Sequence, residues 1–348
     1  MIISKKIFFT VLSFTIILFC SLLIWQKDQI NNLPSAVINS RIKEKETSVF
    51  DPSFLIWQEA TFDALWQKRD AHTALVFSDK IWLLGGVSGN APDYSKNKSD
   101  VWSSEDGKDW ILVSENAPWG PRRAHESLVF NNQILILGGV TTGEVYLNDV
   151  WSSPDGENWL QIQKKSAWTK RKGFEAVVFK DKIWIMGGVD TSGAVNDVWF
   201  SEDGINWQLA TDRAKWPPRY DLAVEVFGGK MWLSGGVLPG EMGQKEVWFT
   251  EDGTNWELAE DIPWRGRHGH CFISYNDYLW IIGGWSGFAE GFNDVWFSKD
   301  GLLWHKTLAD SLWPGREDSA CLVFQNKIWF LGGMLTSGLR TNDVWFSI

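Results

Sequence analysis

The sequence predicts an all-β fold, a β-propeller of six blades, preceded by one hydrophobic N-terminal helix. Short motifs recur in phase through six units, and the one strand missing from the last unit is found before the first. A long uncharged segment also stands near the N-terminus. Of the 348 residues, 44% are hydrophobic and 22% are charged, which is typical of a folded chain with a substantial core.

The N-terminal segment Ile7–Trp25 contains no charged residue, and Lys5 and Lys6 precede it. A helix of that length spans a bilayer, and the positive-inside rule places the lysine side in the cytoplasm. The segment is longer than the apolar core of most signal peptides and lacks a clear cleavage site, which favours an uncleaved anchor over the alternative of cleavage. We therefore expect a transmembrane or signal-anchor segment at residues 1–25, a polar tether at 26–52 and the propeller at 53–348. The propeller then lies outside the cytoplasm, in the periplasm or the extracellular space.

Gly-Gly pairs mark six repeats, which we number 1 to 6. Their first glycines are spaced 53, 49, 48, 48 and 49 residues apart, at Gly85, Gly138, Gly187, Gly235, Gly283 and Gly332. A second motif, Asp-Val-Trp or once Glu-Val-Trp, has its tryptophan at Trp102, Trp151, Trp199, Trp248, Trp296 and Trp345. A period of this length indicates one supersecondary unit per repeat.

Each repeat predicts four strands, which we call a to d. Strand a follows an arginine, strand b is an apolar run that ends at Gly-Gly, and strand c contains Asp-Val-Trp. Short apolar runs between turn residues are typical of strands buried between stacked sheets. A third motif, Asp-Gly-x-x-Trp, predicts a tight turn from strand c to strand d because glycine tolerates positive φ. It begins at Asp106, Asp155, Asp203, Asp252 and Asp300.

Repeat 6 lacks this last motif and therefore its strand d. The sequence Phe-Leu-Ile-Trp-Gln at residues 54–58 precedes the first strand a, and Trp57 lies 53 residues before Trp110. We therefore expect the N-terminal strand to complete the last blade, because pairing the first and last segments leaves no open sheet edge.

This pattern resembles the kelch repeat, in which Gly-Gly ends the second strand, an aromatic residue stands in the third and a tryptophan in the fourth. The resemblance covers residues 53–348. It implies a propeller of the galactose oxidase and kelch-like superfamily, similar also to the bacterial sialic-acid mutarotases. Galactose oxidase needs paired tyrosine and histidine copper ligands and a cysteine that forms a thioether. No such set can be assigned here, so we expect no cofactor.

Residues that recur in every repeat are expected to serve the fold, and departures from the pattern to serve a site. Of the 25 tryptophans, 23 occupy four columns of the repeat, which assigns them to packing between blades. An arginine precedes strand a in all six repeats, at Arg69, Arg122, Arg171, Arg219, Arg267 and Arg316. Some kelch proteins use arginines at this position to hold acidic peptides. Because every repeat keeps the arginine here, we favour a guanidinium packed on a tryptophan or paired with a carboxylate.

The start of strand a and the end of strand b lie on one face of the disc, which we call the mouth face. The residue after the arginine differs in every repeat, Trp285 is the only propeller tryptophan outside the columns, and the loop Val87–Ser99 of repeat 1 is longer than its counterparts. We therefore predict a ligand-binding site here, where a tryptophan can hold a sugar ring and cations a carboxylate. The candidate residues are Arg122, Arg123, Lys172, Tyr220, Arg267, His268 and Trp285.

No catalytic set is evident, and the catalytic residues are unknown. His72, His125 and His270 share one position in repeats 1, 2 and 5; repeats 2 and 5 lie opposite each other, so we expect packed histidines and no metal site. Glu126 and Glu175 stand in the same register of adjacent repeats. They could transfer protons on a sugar, but we favour them as partners of the arginines.

Residues 51–348 hold 27 basic and 40 acidic residues, so no basic stripe is available for nucleic acid. Cys271 and Cys321 are the only cysteines of the repeats, and we favour two buried free thiols over a disulfide. The predicted function is a membrane-anchored binding or interaction module whose ligand is an unidentified protein or carbohydrate. The alternative is a carbohydrate-active enzyme resembling the sialic-acid mutarotases or epimerases.

Overall fold

Antiparallel strands make up the regular structure of the chain, as seen in a computed structural model that describes residues 50–287, 290–308 and 311–348. The prediction of an all-β propeller is confirmed. A short 3-10 helix, Pro52–Phe54, precedes the first strand, and residues 52–348 form one compact unit. Among the residues described, no helix is long and apolar enough to cross a membrane. The predicted anchor at 1–25 and most of the tether lie outside the described residues.

Repeats 1 to 5 contain four strands each and repeat 6 contains three, and the N-terminal strand β1 (Trp57–Thr61) precedes them. Repeat 1 contains β3 (Thr73–Phe77), β4 (Lys80–Leu84), β6 (Val101–Ser104) and β7 (Ile111–Ser114). Repeat 2 contains β9 (Glu126–Phe130), β10 (Gln133–Thr141), β11 (Tyr146–Ser153) and β12 (Leu160–Gln163). Repeat 3 contains β13 (Glu175–Phe179), β14 (Lys182–Met186), β17 (Val198–Ser201) and β18 (Trp207–Thr211).

Repeat 4 contains β19 (Ala223–Phe227), β20 (Lys230–Ser234), β21 (Val247–Thr250) and β22 (Glu257–Ala259). Repeat 5 contains β23 (Cys271–Tyr275), β24 (Tyr278–Ile282), β25 (Val295–Ser298) and β26 (Trp304–Lys306). Repeat 6 contains β28 (Ala320–Phe324), β29 (Lys327–Leu335) and β30 (Arg340–Ser347). Short strands on the mouth face are β2 (Arg69–Asp70), β5 (Val87–Ser88), β8 (Arg122–Arg123), β15 (Val189–Asp190), β16 (Gly193–Ala194) and β27 (Arg316–Glu317).

Repeats 1 to 5 each form a separate antiparallel sheet in the order a, b, c, d, and these sheets are five blades. The strands of repeat 6 belong instead to a seven-stranded sheet with β1, β2, β5 and β27. The structure thus contains five separate blades, not the six that were predicted. The reason is that β30 pairs at the mouth face with β2 of repeat 1, and β2 pairs with β5, which links strands of the two repeats into one sheet.

The N-terminal strand pairs with the last strand of the chain, as predicted. Trp57 lies opposite Ser347 and Glu59 opposite Trp345 in the antiparallel pair β1–β30. The Trp57 ring packs edge-on against Trp313, with 5.9 Å between the ring centroids. The first strand therefore covers the open edge of β30 with both backbone and aromatic contacts.

The strand-b tryptophans pack on the Asp-Gly turn of the following repeat. A Cβ atom added to Gly156 would lie 2.1 Å from the ring of Trp82, so only glycine fits beneath that ring. Repeat 2 has Leu135 in place of this tryptophan, and the nearest atom to a Cβ on Gly204 is 3.4 Å away. Glycine in these turns therefore supplies positive φ everywhere and room for an indole in most repeats.

Cys271 and Cys321 form a disulfide, with 6.0 Å between their Cα atoms. The expectation of two free thiols is therefore wrong. Strands β23 and β28 are the strands a of neighbouring repeats, and they contact each other along the channel wall. The distance of 50 residues between the cysteines in sequence hides this neighbourhood.

Candidate binding site at the channel mouth

Six backbone hydrogen bonds form a closed ring around the central channel. Each repeat contributes the second residue after its arginine, and all six have positive φ. The N–H of each donates to the carbonyl of the preceding one, with N···O distances between 2.8 and 3.2 Å, through Ala71, Ala124, Gly173, Asp221, Gly269 and Asp318. The first N–H, that of Ala71, donates to Asp318 and closes the ring.

The arginine column is structural, as favoured from the sequence. Each guanidinium is at most 2% exposed. It donates to the carbonyl of the first Gly-Gly glycine and lies 2.5 to 3.0 Å from the carboxylate that precedes Val-Trp. That carboxylate also accepts a hydrogen bond from the indole of the following tryptophan.

Two of the seven candidate residues belong to this column and do not line the mouth cavity described below. Arg122 makes a two-pronged pair with Asp149, and Arg267 makes one with Asp294. Both guanidinium groups are buried and paired within their own repeats, so the structure does not bring these two candidates to the mouth cavity.

The other five candidates line one cavity of about 510 Å³, which we call the mouth cavity. They are Arg123, Lys172, Tyr220, His268 and Trp285. Its volume lies within the range of about 300 to 1,000 Å³ common for small-ligand pockets. The structure thus brings together the residues that depart from the repeat, although they come from four different repeats.

The two cations among these candidates already hold a carboxylate of the protein. Arg123 Nη2 lies 2.6 Å from Glu144 Oε1, and Lys172 Nζ lies 3.5 Å from Glu144 Oε2. Partial burial raises the pKa of Glu144, but the hydrogen bond and charge of Arg123, with Lys172, bring it below its usual value. No sequence motif pointed to this contact, because Glu144 lies in the loop between β10 and β11.

Repeats 6 and 1 add a second charged pair, and the long loop of repeat 1 adds a tyrosine beside it. Arg340 Nε donates to Asp70 Oδ1 over 2.7 Å, and both residues are buried. Tyr94, from the loop Val87–Ser99, stacks between two guanidinium groups, 4.5 Å from Arg123 and 5.5 Å from Arg340. The length of that loop was the only sequence signal that pointed to Tyr94.

Besides Asp70, Glu144 and the exposed Glu241, three carboxyl groups line the mouth cavity, and none of these three was among the predicted site residues. They belong to Asp221, Glu317 and Asp318. Burial raises the pKa of Asp221 to about 6 and that of Glu317 to about 10, and the neighbouring carboxyl groups add to the shift of Glu317. Burial likewise raises the pKa of Asp318, with further contributions from Asp221 and Asp70. Two of these residues belong to the hydrogen-bonded ring, where four repeats have alanine or glycine, and that difference was readable in the sequence.

His268 and Trp285 form one wall of the cavity, with 5.8 Å between their ring centroids. His268 is 9% exposed, and burial lowers its pKa to about 4. Its Nδ1 lies 3.4 Å from Glu317 Oε2 without hydrogen-bond geometry, and the indole Nε1 of Trp285 is buried without a partner in the described part of the chain.

A smaller cavity of about 130 Å³ is lined by the ring and by the residues that follow it. Glu126 and Glu175 face it, and burial raises the pKa of both well above the usual range. They are not partners of the arginine column, which pairs with the carboxylates of strand c, so that expectation is wrong.

The three histidines at the starts of the strands a are packed and buried, as expected. His72 lies 6.0 Å from Trp66 and His125 lies 6.1 Å from Trp119, centroid to centroid. His270 accepts or donates a 3.2 Å hydrogen bond with Ser234 Oγ. Within residues 50–287, 290–308 and 311–348, no group of three acidic, histidine or cysteine side chains is placed to hold a metal ion.

Comparison with known proteins agrees with this architecture. A family model described as the KLHDC2/KLHL20/DRC7 kelch-repeats domain matches residues 71–257. A solved structure titled "Structure of YjhT" superposes with a TM-score of 0.66 at 17% identity, over 82% of this chain and 96% of that one. This likeness shows the fold alone. No curated protein sequence matches the chain.

Proposed function

The chain belongs to the kelch-repeat family, and on that premise we propose that it is an exported, membrane-anchored, six-bladed propeller that binds a ligand in the mouth cavity. One observation carries the proposal. Five side chains that break the repeat converge on one cavity, whereas the arginines that obey the repeat are buried and paired elsewhere. Loops that depart from a rigid scaffold are where binding residues concentrate.

Closure by six blades is supported by the hydrogen-bonded ring, because each of the six repeats contributes one donor and one acceptor to it. The pairing of β1 with β30 supports it as well, since it gives repeat 6 a fourth strand. A propeller closed in this way presents one channel mouth to a ligand.

Export is supported by the uncharged segment Ile7–Trp25 with its preceding lysines, and by the disulfide between Cys271 and Cys321. Disulfides persist in oxidising compartments and are rare in the cytosol. Protease added to spheroplasts should digest the propeller, and alkaline carbonate should leave the chain in the membrane. Carbonate release of a form that lacks residues 1–30 would show a cleaved signal peptide instead.

A carbohydrate-active enzyme is the less favoured alternative. Glu126 and Glu175 are the acid–base candidates, but the cavity they face has a volume of about 130 Å³, against about 510 Å³ at the mouth. Binding at the mouth therefore needs no access to these carboxyl groups.

The binding proposal is tested by screening glycans and acidic, neutral and basic peptides against the full chain and its Trp285→Ala variant. We expect at least one class to bind the wild type and to lose affinity with Trp285→Ala. Ligands that bind both proteins equally, or no binding in any class, would reject the mouth cavity as the site.

A further inference from the structure

We propose that the mouth cavity recognises an organic cation, an ammonium or guanidinium group such as that of a lysine or arginine side chain. This inference rests on the proposed binding function and specifies its ligand. It reverses the expectation that cations of the protein hold a carboxylate of the ligand, and it follows from how the charges around the cavity are paired.

The positive charges at the mouth are already matched by carboxylates of the protein. Glu144 bridges Arg123 and Lys172, and Asp70 holds Arg340. A ligand carboxylate would have to displace Glu144 from both cations. Glu144 reaches these cations from a loop, where its side chain is about half exposed. Arg123 and Lys172 are therefore already paired in the wall of the cavity, and Arg340, whose Nη2 has no partner among the described residues, does not line it.

The negative charges at the mouth are in excess. The carboxyl groups of Asp221, Glu317 and Asp318 line the cavity, and no described cation forms an ion pair with Asp221 or Asp318. Burial raises the pKa of all three, Asp221 and Asp318 further raise that of Glu317, and Asp221 raises that of Asp318, so some of these groups retain protons in the empty cavity. A cation that enters replaces those protons and removes the repulsion.

The wall of the cavity suits an organic cation. Trp285, Tyr220 and Tyr94 line it, and aromatic rings beside carboxylates attract ammonium and guanidinium groups through the ring quadrupole. Metal ions need several ligands in a defined geometry, and the described residues offer no group of three that could provide one.

A second observation, independent of the carboxyl groups, points to a ligand. His268 lines the cavity at 9% exposure, and its Nδ1 makes no hydrogen bond in the described part of the chain. The buried Nε1 of Trp285 beside it is also without an acceptor among the described residues. Buried polar atoms are rarely left without partners, so the ligand is expected to bring polar atoms next to its cation. A peptide carbonyl would meet the indole in this way.

The test measures binding of four small probes to the full chain in detergent by ligand-observed NMR. The probes are n-butylammonium, n-butylguanidinium, butyrate and n-butanol, which share an alkyl chain and differ in charge. An acetyl-Gly-Lys-Gly-amide peptide distinguishes a free amine from a lysine side chain. We expect the two cations and the peptide to bind, with the peptide tighter because it brings carbonyl groups, and butyrate not to compete.

Two substitutions remove the negative charge without changing shape. Asp221→Asn and Asp318→Asn should each weaken binding of the cations about tenfold, since hydrogen bonds to charged groups are among the stronger ones. Both positions have positive φ, which asparagine tolerates. Asp181→Asn is the matched control, because Asp181 also has positive φ but is exposed in the turn between β13 and β14. It should leave binding unchanged.

The outcomes separate this inference from the proposed function. If butyrate binds, loses affinity with Trp285→Ala, and the cations do not bind, the proposal of a cationic ligand is rejected. The mouth cavity remains the binding site. Cation binding that resists both asparagine variants would also overturn the inference. If neither the amines nor the lysine peptide bind while the wider screen finds a ligand sensitive to Trp285→Ala, the ligand is of another class.

Discussion

Arg122 and Arg123 are adjacent in the sequence and both buried, but they differ in whether they repeat and in what they pair with. Arg122 repeats in all six units, is 2% exposed and is paired with Asp149 inside its own repeat. Arg123 has no counterpart in the other repeats, and its partner Glu144 is half exposed at the rim of the mouth cavity. A repeated residue thus serves the blade, and its unrepeated neighbour serves the mouth. Comparing the repeats therefore distinguishes two adjacent residues, one in the scaffold and one at the proposed site.

We expect the largest effect from removing β1, the strand that pairs with β30 and closes the propeller. A chain that lacks residues 1–59 should aggregate or unfold, whereas one that lacks residues 1–50 should remain folded. Loss of β1 exposes the edge of β30 and removes Trp57 from its contact with Trp313, and deleting a buried tryptophan alone costs about 3 to 5 kcal/mol. Thermal unfolding of the two chains measures this. Equal midpoints would show that β1 does not close the propeller.

Removing each of the two adjacent arginines tests whether only the repeated one, Arg122, stabilises the scaffold. Arg122→Met should lower the free energy of unfolding by about 3 to 5 kcal/mol, because it leaves the carboxylate of Asp149 buried without its cation. Arg123→Met should cost only about 1 kcal/mol, since Glu144 can return to water. Urea denaturation of both variants checks the difference. Similar losses would place Arg123 in the scaffold.

Two glycines at the same position of the repeat test how much the packing of a tryptophan contributes to the scaffold. Gly156 and Gly204 occupy the same turn position at φ of 79° and 76°, but only Gly156 lies under a tryptophan. Gly156→Ala should therefore cost about 1 to 3 kcal/mol more than Gly204→Ala, through overpacking against Trp82. Backbone strain is common to both variants and cancels in the difference. A difference near zero in urea denaturation would refute the packing role.

The smallest expected effect concerns a carboxyl group in the channel wall. Burial raises the pKa of Glu225 to about 7, although the N–H of Val226 and the hydroxyl of Ser274 donate to it. A raised carboxyl pKa gives stability that is complete below the unfolded pKa and is lost as the pH rises through 7. Glu225→Gln should therefore raise the melting temperature relative to wild type more at pH 9 than at pH 4.5.

The exposed substitution Glu115→Gln is the control for that pH series, and it should shift the melting temperature equally at both values. A Glu225→Gln shift that does not change with pH would mean that Glu225 ionises as freely in the folded state as in the unfolded one.

Repetition allowed the scaffold to be predicted from the sequence. Six copies of Gly-Gly, Asp-Val-Trp and Asp-Gly-x-x-Trp define the strands, and the displaced Trp57 identifies the closing strand. Partners across repeats could not be predicted, because neighbours in space lie about 50 residues apart. The disulfide between Cys271 and Cys321 was missed for that reason.

The site was only partly predictable. The variable column after each arginine pointed to Arg123, Lys172, Tyr220 and His268, and the tryptophan outside the repeated columns pointed to Trp285; all five line one cavity. The direction of a side chain at positive φ cannot be read from a sequence, so the carboxyl groups of Asp221 and Asp318 were missed. Their presence changes the expected charge of the ligand from negative to positive.

Trp280 and Trp285 stand five residues apart in repeat 5, one in a repeated column and one outside it. Their alanine variants test most directly whether repetition separates scaffold from site, because the measurement needs no ligand. Trp280 is fully buried, so Trp280→Ala should lower the free energy of unfolding by about 3 to 5 kcal/mol in urea denaturation. Trp285 is partly exposed at the cavity and contacts His268, so Trp285→Ala should cost no more than about 1 kcal/mol. Equal losses in the two variants would contradict the account, because Trp285 would then be part of the scaffold.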